Sequence, residues 1–424
     1  MTHFGNLSRN RLFDPAASEG SPIGDATGAK SARIQPLRKP RTDRLHVLET
    51  AGISAYERYR LRRLIDLAEF DAIWDKMKKV SPSVMAHALW ELGCLRDTQE
   101  VITAESIAAR CGSMPKYRSL MSQWLPELVA AGFVQRVPGT REAYAGKLVD
   151  VGHVRNRIDA ALSSVDVSTP YPGFIEYFKT CLKHQTDLLA GRSNPQKLLF
   201  PAGSSRIVDG LYRDNPASAM QNQVVAAVVQ AAAREWLRAR PLRVLEVGAG
   251  TGATTAAILA DLPSTRVEYR FTDVSRFFLK RAAREFASHP YVTYELLDID
   301  RHPLEQGFAT DSFDVIVAAN VLHTAKHIDV TLGHLHSLLS GGGALVAIET
   351  TSNTALQMIT FGHFEGVCHF QDQRQHSHLP FLSCTEWRSA FRDAGFTDVT
   401  AIPSDESGSK AWMQHVLLGS RGAA

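Results

Sequence analysis

The sequence predicts an α/β protein: a parallel sheet of seven strands in the C-terminal half, preceded by a helical, winged-helix-like domain. Three observations predict it. From Arg243 onward, short apolar stretches alternate with helical ones, as in a sheet covered on both faces. A glycine-rich turn, Gly248, Gly250 and Gly252, separates the first apolar stretch from a small-residue helix, Ala253 to Ala260. Upstream, from Tyr56, apolar residues recur at helical spacing.

In chain order, residues 1–46 hold eight Lys/Arg and four Asp/Glu with few large apolar groups. This composition reads as a disordered tail, with a docking peptide as the alternative. In LRRLIDLAEFDAIWDKM, Leu61, Leu64, Ile65, Leu67, Phe70 and Ile73 recur near three-to-four spacing, a helical pattern. Ser81-Pro82 marks a further helix start, Thr103 an N-cap and Gly132 a C-cap. A strand pair around Phe133–Val137 and Ala143–Leu148 completes the winged-helix pattern. The helix that would read DNA, 116–131, has only Lys116 and Arg118 as basic residues and is rich in Leu, Met and Trp. A packing or dimerisation module is therefore expected over 47–164. Residues 165–240 form a linker or lid whose aromatics Tyr171, Phe174, Tyr177, Phe178, Phe200 and Tyr212 either fill a seam or roof a site.

The sheet domain is expected over 241–424. Its strands are 243–247, 267–273, 292–297, 314–319 and 344–349, the last after a Gly341–Gly343 turn. TDVTAIP and WMQHVLLG follow as a hairpin at an antiparallel edge. The long segment 351–384 is the candidate substrate cover.

Composition narrows the function. The chain has 424 residues, 44% hydrophobic and 21% charged, with a net charge of +3. So small a charge argues against nucleic acid or an anionic membrane as partner. Five scattered cysteines without a C-x-x-C pair fit a reducing compartment and no zinc site. No secretory h-region is seen, and the longest mainly apolar stretch, Val224 to Ala233 with Gln230 inside it, is too short to span a bilayer. A cytoplasmic location and no metal are expected.

An open parallel sheet binds ligands beyond the carboxyl ends of its strands. Those ends carry Glu246 with Gly248 and Gly250, then Asp273, then Asp298 and Ile299, then Asn320 and His323, then Glu349. Asp273 stands where a carboxylate accepts from ribose hydroxyls. Asp298 can accept from an adenine amino group with Ile299 against the ring, and Asn320 can line the methionine part of a cofactor. The glycine spacing, E-x-G-x-G-x-G, fits neither the dinucleotide fingerprint nor the phosphate loop. His323 and Glu349 end adjacent strands about 4.8 Å apart, so they can hydrogen-bond. The carboxylate would orient the imidazole as a general base; a capping or water-binding histidine is the plainer alternative.

EVGAGTG resembles motif I of the class I methyltransferases that use S-adenosylmethionine, a Rossmann-like fold. GAGTG, FTDVS, LDID, ANVLH, the strand-five Glu and then FGHFEG and RQH look like the C-methyltransferase domains of polyketide synthases. The resemblance spans roughly 170–400. It implies S-adenosyl-L-methionine as cofactor and methyl transfer to the α-carbon of a β-ketoacyl thioester, with His323 and Glu349 as the base pair. A Trp pair common in that family is replaced here by Val367-Cys368. The expected partners are a small-molecule or acyl-thioester substrate, an acyl carrier protein when the acyl group is carrier-bound, and a second copy in a homodimer. An O-methyltransferase of secondary metabolism is the alternative, since His323 could equally deprotonate a hydroxyl. A scaffold that keeps the fold without the activity is the third reading.

Overall fold

The computed structural model describes residues 43–97, 99–110, 112, 117–146, 150–165, 171–236, 240–262, 266–404 and 414–422. The expected tail, 1–46, lies outside them apart from its last residues.

The chain enters on α1 (Asp43–Arg62) and α2 (Leu64–Glu91), with the break falling inside the stretch LRRLIDLAEFDAIWDKM rather than at Ser81. They part at Arg63, whose φ of −120° and ψ of 26° leave the helical region. Ser81-Pro82, expected to start a helix, lies inside α2 instead. An internal proline costs about 3 kcal/mol. Met77, Val80, Val84, Met85 and Leu89 are all buried around it, and each fully buried side chain contributes roughly 1.5–3 kcal/mol. Packing therefore outweighs the break.

α3 (Ala104–Arg110) starts on a reciprocal cap: the Ser106 amide donates to Thr103 Oγ1 (3.0 Å), and the Thr103 amide donates to Ser106 Oγ (2.8 Å). α4 (Tyr117–Ala130) follows. Three two-residue strands, Val101–Ile102, Gln135–Arg136 and Tyr144–Ala145, form an antiparallel ladder with the last in the centre. α4 turns Tyr117, Leu120, Met121, Trp124 and Leu128 into the core. Tyr117 and Trp124 meet the buried His363 edge-on, at 5.6 and 6.4 Å. The helix placed to read DNA in a winged helix is thus packed against the 351–384 segment.

α5 (Val151–Ser163) and α6 (Pro172–Lys183) precede a run of short helical turns, among them Pro195–Leu199. α7 (Pro216–Trp236) then runs against the sheet, with α1 packed on it. The strands are β1 (Leu242–Val247), β2 (Val267–Asp273), β3 (Val292–Leu296), β4 (Phe313–Ala319), β5 (Leu339–Thr350), β6 (Thr397–Ile402) and β7 (Gln414–Ser420). Their order is β3-β2-β1-β4-β5-β7-β6, with β7 antiparallel to both of its neighbours. The hairpin expected at the end is present, and its second strand slots between β5 and β6. Leu242, Val244, Leu245 and Val247 of β1 and Val315–Ala318 of β4 are fully buried, as strands covered on both faces must be. The Gly341–Gly343 turn is absorbed into β5 as a bulge: Phe313 pairs with Leu339, but Val315 with Ala344.

The helices after the strands are α8 (Ala253–Leu259), α9 (Arg276–Glu285), α10 (Ile328–Leu338), α11 (Ala355–Thr360) and α12 (Cys384–Asp393). Strand order reverses between β1 and β4, so their carboxyl ends open the crevice where such sheets bind ligands. At the opposite ends, Asp314 accepts from Arg240, Arg243 and Ser340, tying the starts of β1, β4 and β5 together. Burial alone would raise its pKa; the two guanidinium groups outweigh that and hold it at about 2.

Candidate active site

The turn after β1 is built from left-handed glycines. Gly248 has φ +59°, and a Cβ there would stand 2.3 Å from Val321 Cγ2. Gly252, at φ +77°, would strike Phe286 at 2.8 Å. Only glycine permits this loop to press against β4 and α9 at once. Asp273 fixes the same loop from β2: its carboxylate accepts from the amides of Gly250 (2.9 Å) and Ser275 (2.7 Å). Burial raises its pKa, and these two amides pull against that. Each carboxylate oxygen keeps a second lone pair for a ligand.

A cavity of about 210 Å³ lies over the loop, lined by Gly248, Gly250, Asn222, Asn320, Tyr212 and Phe278 among others. The remaining residues expected to hold a cofactor are placed differently. Asp273, Asp298 and Ile299 do not line this cavity; they lie at the ends of β2 and β3. Asp298 accepts from the Asp300 amide (3.0 Å), and the Ile299 carbonyl accepts from Thr331 (3.2 Å). Glu246 is fully buried and faces inward. Its Oε2 accepts from Thr255 and Tyr269, both at 2.6 Å, and burial raises its pKa to about 7. It braces β1 against β2 and α8.

A second cavity of about 350 Å³ adjoins the first: Leu199, Tyr212, Ser218, Asn320 and Gln414 line both. Aromatic side chains cluster in its wall. Phe70 and Trp74 come from α2, Phe174 from α6, and Phe361, Phe364 and Phe381 from the cover segment. Trp74 and Phe174 stack at 5.6 Å with 15° between their planes. The aromatics read as either seam or roof divide between the two roles. Phe174, Phe200 and Tyr212 line cavities, whereas Tyr171, Tyr177 and Phe178 are buried in the core. Val367, where the resembling domains often carry Trp, lines the second cavity; Cys368 instead donates to the Gly362 carbonyl (3.1 Å).

His323 lines this chamber from a single helical turn after β4. Its Nδ1 lies 2.7 Å from Glu349 Oε2, and the other carboxylate oxygen accepts from the amides of Leu322 (2.7 Å) and Val321 (3.2 Å). A carboxylate only accepts, so Nδ1 donates and Nε2 carries the free lone pair. Nε2 has no hydrogen-bond partner among the described residues. Phe381 meets the ring edge-on at 5.0 Å. The structure thus brings His323 and Glu349 together, with the imidazole on the chamber wall.

Two contributors were not legible in the sequence as site residues. Arg374 is buried and spends its guanidinium on the His323 carbonyl (2.7 Å), the Ala325 carbonyl (2.5 Å) and the Asp372 carboxylate (2.7 and 2.8 Å). Asp372 also accepts from the Ile328 amide at the start of α10 (3.0 Å). The pair clamps the turn that carries His323 to the cover segment. Gln414, the first residue of β7, donates to Asn320 Oδ1 (3.0 Å) where the cavities meet. Asn320 has φ +53°, which bends the chain sharply out of β4. Among the described residues, no cluster of three or more His, Cys, Asp or Glu could hold a metal ion.

Comparison with known proteins agrees with this geometry. Residues 245–345 match a family described as a methyltransferase domain. The polyketide synthase ThaG of Burkholderia thailandensis is 40% identical over 223 residues, 51% of this chain and 4% of that protein. The chain thus spans a small fraction of the curated relative it matches. The crystal structure of the CurJ carbon methyltransferase superposes with a TM-score of 0.80 at 28% identity, covering 90% of this chain and 99% of that one. The DszA carbon methyltransferase gives 0.76 at 25% identity, covering 90% and 96%. Residues 245–345 thus match a methyltransferase domain, and the chain is similar in sequence and in fold to carbon methyltransferases and to polyketide synthases that carry such a segment.

Proposed function

We propose that the chain methylates the α-carbon of a β-ketoacyl thioester, with His323 as general base and Glu349 as its orienting carboxylate. One observation carries this: an imidazole with a free Nε2, held through Nδ1 by a buried carboxylate, faces an aromatic chamber that opens onto the cavity above the glycine loop.

The residues present fit S-adenosyl-L-methionine. Among the described residues no lysine or arginine lines the first cavity, while Tyr212, Phe200 and Phe278 do. Aromatic faces attract a cation, and a sulfonium would meet no repelling charge there. Gly248, Gly250 and Asn320 would hold its methionine part, and Asp273 its ribose hydroxyls. Asp298 and Ile299, just past the end of β3, would meet the adenine. When bound, it supplies an electrophilic methyl group.

His323 Nε2 takes the proton from the carbon between ketone and thioester. The bonding pair stays on the substrate as an enolate, and that carbon is the nucleophile. Glu349 stabilises the imidazolium that forms. The buried aromatic wall keeps water from the enolate. The wall suits an apolar acyl chain; of its stacked pair, Trp74 comes from α2 of the N-terminal domain and Phe174 from α6 of the linker. That gives the winged-helix-like domain a share in acceptor binding.

The test is incubation with methyl-labelled S-adenosylmethionine and an acetoacetyl thioester, followed by mass-spectrometric location of the label. Label on the α-carbon supports the reading. Label only on the oxygen of a phenolic or acidic acceptor supplied in parallel would replace it with O-methylation.

A further inference from the structure

α9 carries three cations on one exposed face: Arg276, Lys280 and Arg284, four residues apart. None has an acidic partner within 4 Å among the described residues. The acids nearby are already taken. Arg281, on the flank of the same helix, pairs with Asp209 (3.4 Å) and Glu285 (3.8 Å), and Arg213 also takes Glu285 (2.8 Å). The cationic row is therefore left uncompensated.

Phe277 lies beside this row, 59% exposed. Its ring meets Phe200 at 6.1 Å and Phe278 at 5.5 Å. Phe200 ends the short helix Pro195–Leu199, which forms part of the chamber wall through Gln196 and Leu199. Gln196 is exposed and also lines the chamber, so it marks an opening, and the exposed Lys197 stands beside it. A cationic, partly aromatic surface thus runs from α9 to the mouth of the acceptor chamber. A lone exposed phenylalanine or a lone charged helix face needs no explanation. Both together, joined by an aromatic bridge to a chamber opening, do.

We propose that this face docks an acidic surface of an acyl carrier protein, whose flexible arm then passes Lys197 and Gln196 into the chamber. The proposal rests on the reading that the acceptor is a β-ketoacyl thioester. Charge complementarity at such a rim acts on encounter rate and salt dependence, so the face affects delivery rather than chemistry.

The experiment compares two acceptors with the full chain: an isolated polyketide-synthase carrier domain loaded with acetoacetate, and acetoacetyl-N-acetylcysteamine. The variant is Lys280→Glu with Arg284→Glu. For the loaded carrier, KM rises about tenfold or more, and the rise of the wild-type KM with salt is lost. For the soluble thioester, kcat and KM stay within about twofold, as does cofactor affinity. An unchanged carrier KM overturns the docking face, and so does an equal loss with both acceptors. If the wild type methylates neither acceptor, the β-ketoacyl reading fails instead. Direct binding of the unloaded carrier domain then decides: retention by the wild type alone supports the face, and equal binding overturns it.

Discussion

At the scale of single residues, the site depends on one imidazole having one orientation. His323→Ala should lower kcat by about 10²–10⁴-fold, the range general-base help supplies. Its dissociation constant for S-adenosylmethionine, read by calorimetry, should hold within about twofold, since His323 lines only the acceptor chamber. Comparable turnover by the variant would remove the base assignment. Asp273→Ala should do the opposite, weakening cofactor binding by about tenfold to a hundredfold, as expected when hydrogen bonds to a charged group are lost. An unchanged dissociation constant would show that its carboxylate serves the Gly250 amide alone. Both residues could be singled out in the sequence because each stands at or just beyond the end of a strand and carries a functional group. Glu246 also ends a strand, yet its carboxylate turns inward to Thr255 and Tyr269. Strand position gives the end of the sheet but not the side to which the side chain points. Arg374 was hidden for another reason. It stands in the RQH stretch that carries the resemblance, but its partner His323 lies 51 residues away, so its contact could not be read locally.

At the scale of elements, the strands were the most legible part, because burial on both faces demands unbroken apolar runs. Glycines and prolines misled more. Pro82 sits mid-helix because its neighbours are buried, and Gly341–Gly343 form a bulge because β4 continues to pair past them. The segment 351–384 was singled out by its length as a candidate cover, and the structure adds how it is fastened. Arg374 ties it to the turn bearing His323, so this arginine is a positioning residue. Arg374→Lys keeps the charge but not the planar fork. We expect kcat to fall about 10²-fold, the cost of a small misplacement of a reacting group. KM and cofactor affinity should change little. A parallel loss of cofactor binding, measured by the same calorimetry, would show that the effect spreads beyond that turn.

At the scale of the whole molecule, acid sensitivity follows from Asp314. Its ordinary carboxylate pKa of 3.8 falls to about 2 in the folded protein. A depressed folded value means that its stabilising contribution is complete above the unfolded value and fades as pH drops from about 4 toward 2. Asp314→Asn should therefore cost about 2 kcal/mol near neutrality. It should also flatten the dependence of unfolding free energy on pH across that acidic window, as urea titrations would show. An unaltered slope would place the acid-labile group elsewhere. The association of the N-terminal helices with the sheet was only partly readable. The apolar face of α4 was visible in the sequence, but its partner, His363, lies far along the chain. The Arg374–Asp372 clamp has an evolutionary corollary. It fixes the imidazole through backbone carbonyls, which any side chain provides, while Phe364, Val367 and Phe381 nearby shape the space for the acceptor. Lineages could therefore exchange the upholstery of the chamber, and with it the acyl groups accepted, without retuning the proton-transfer machinery beneath.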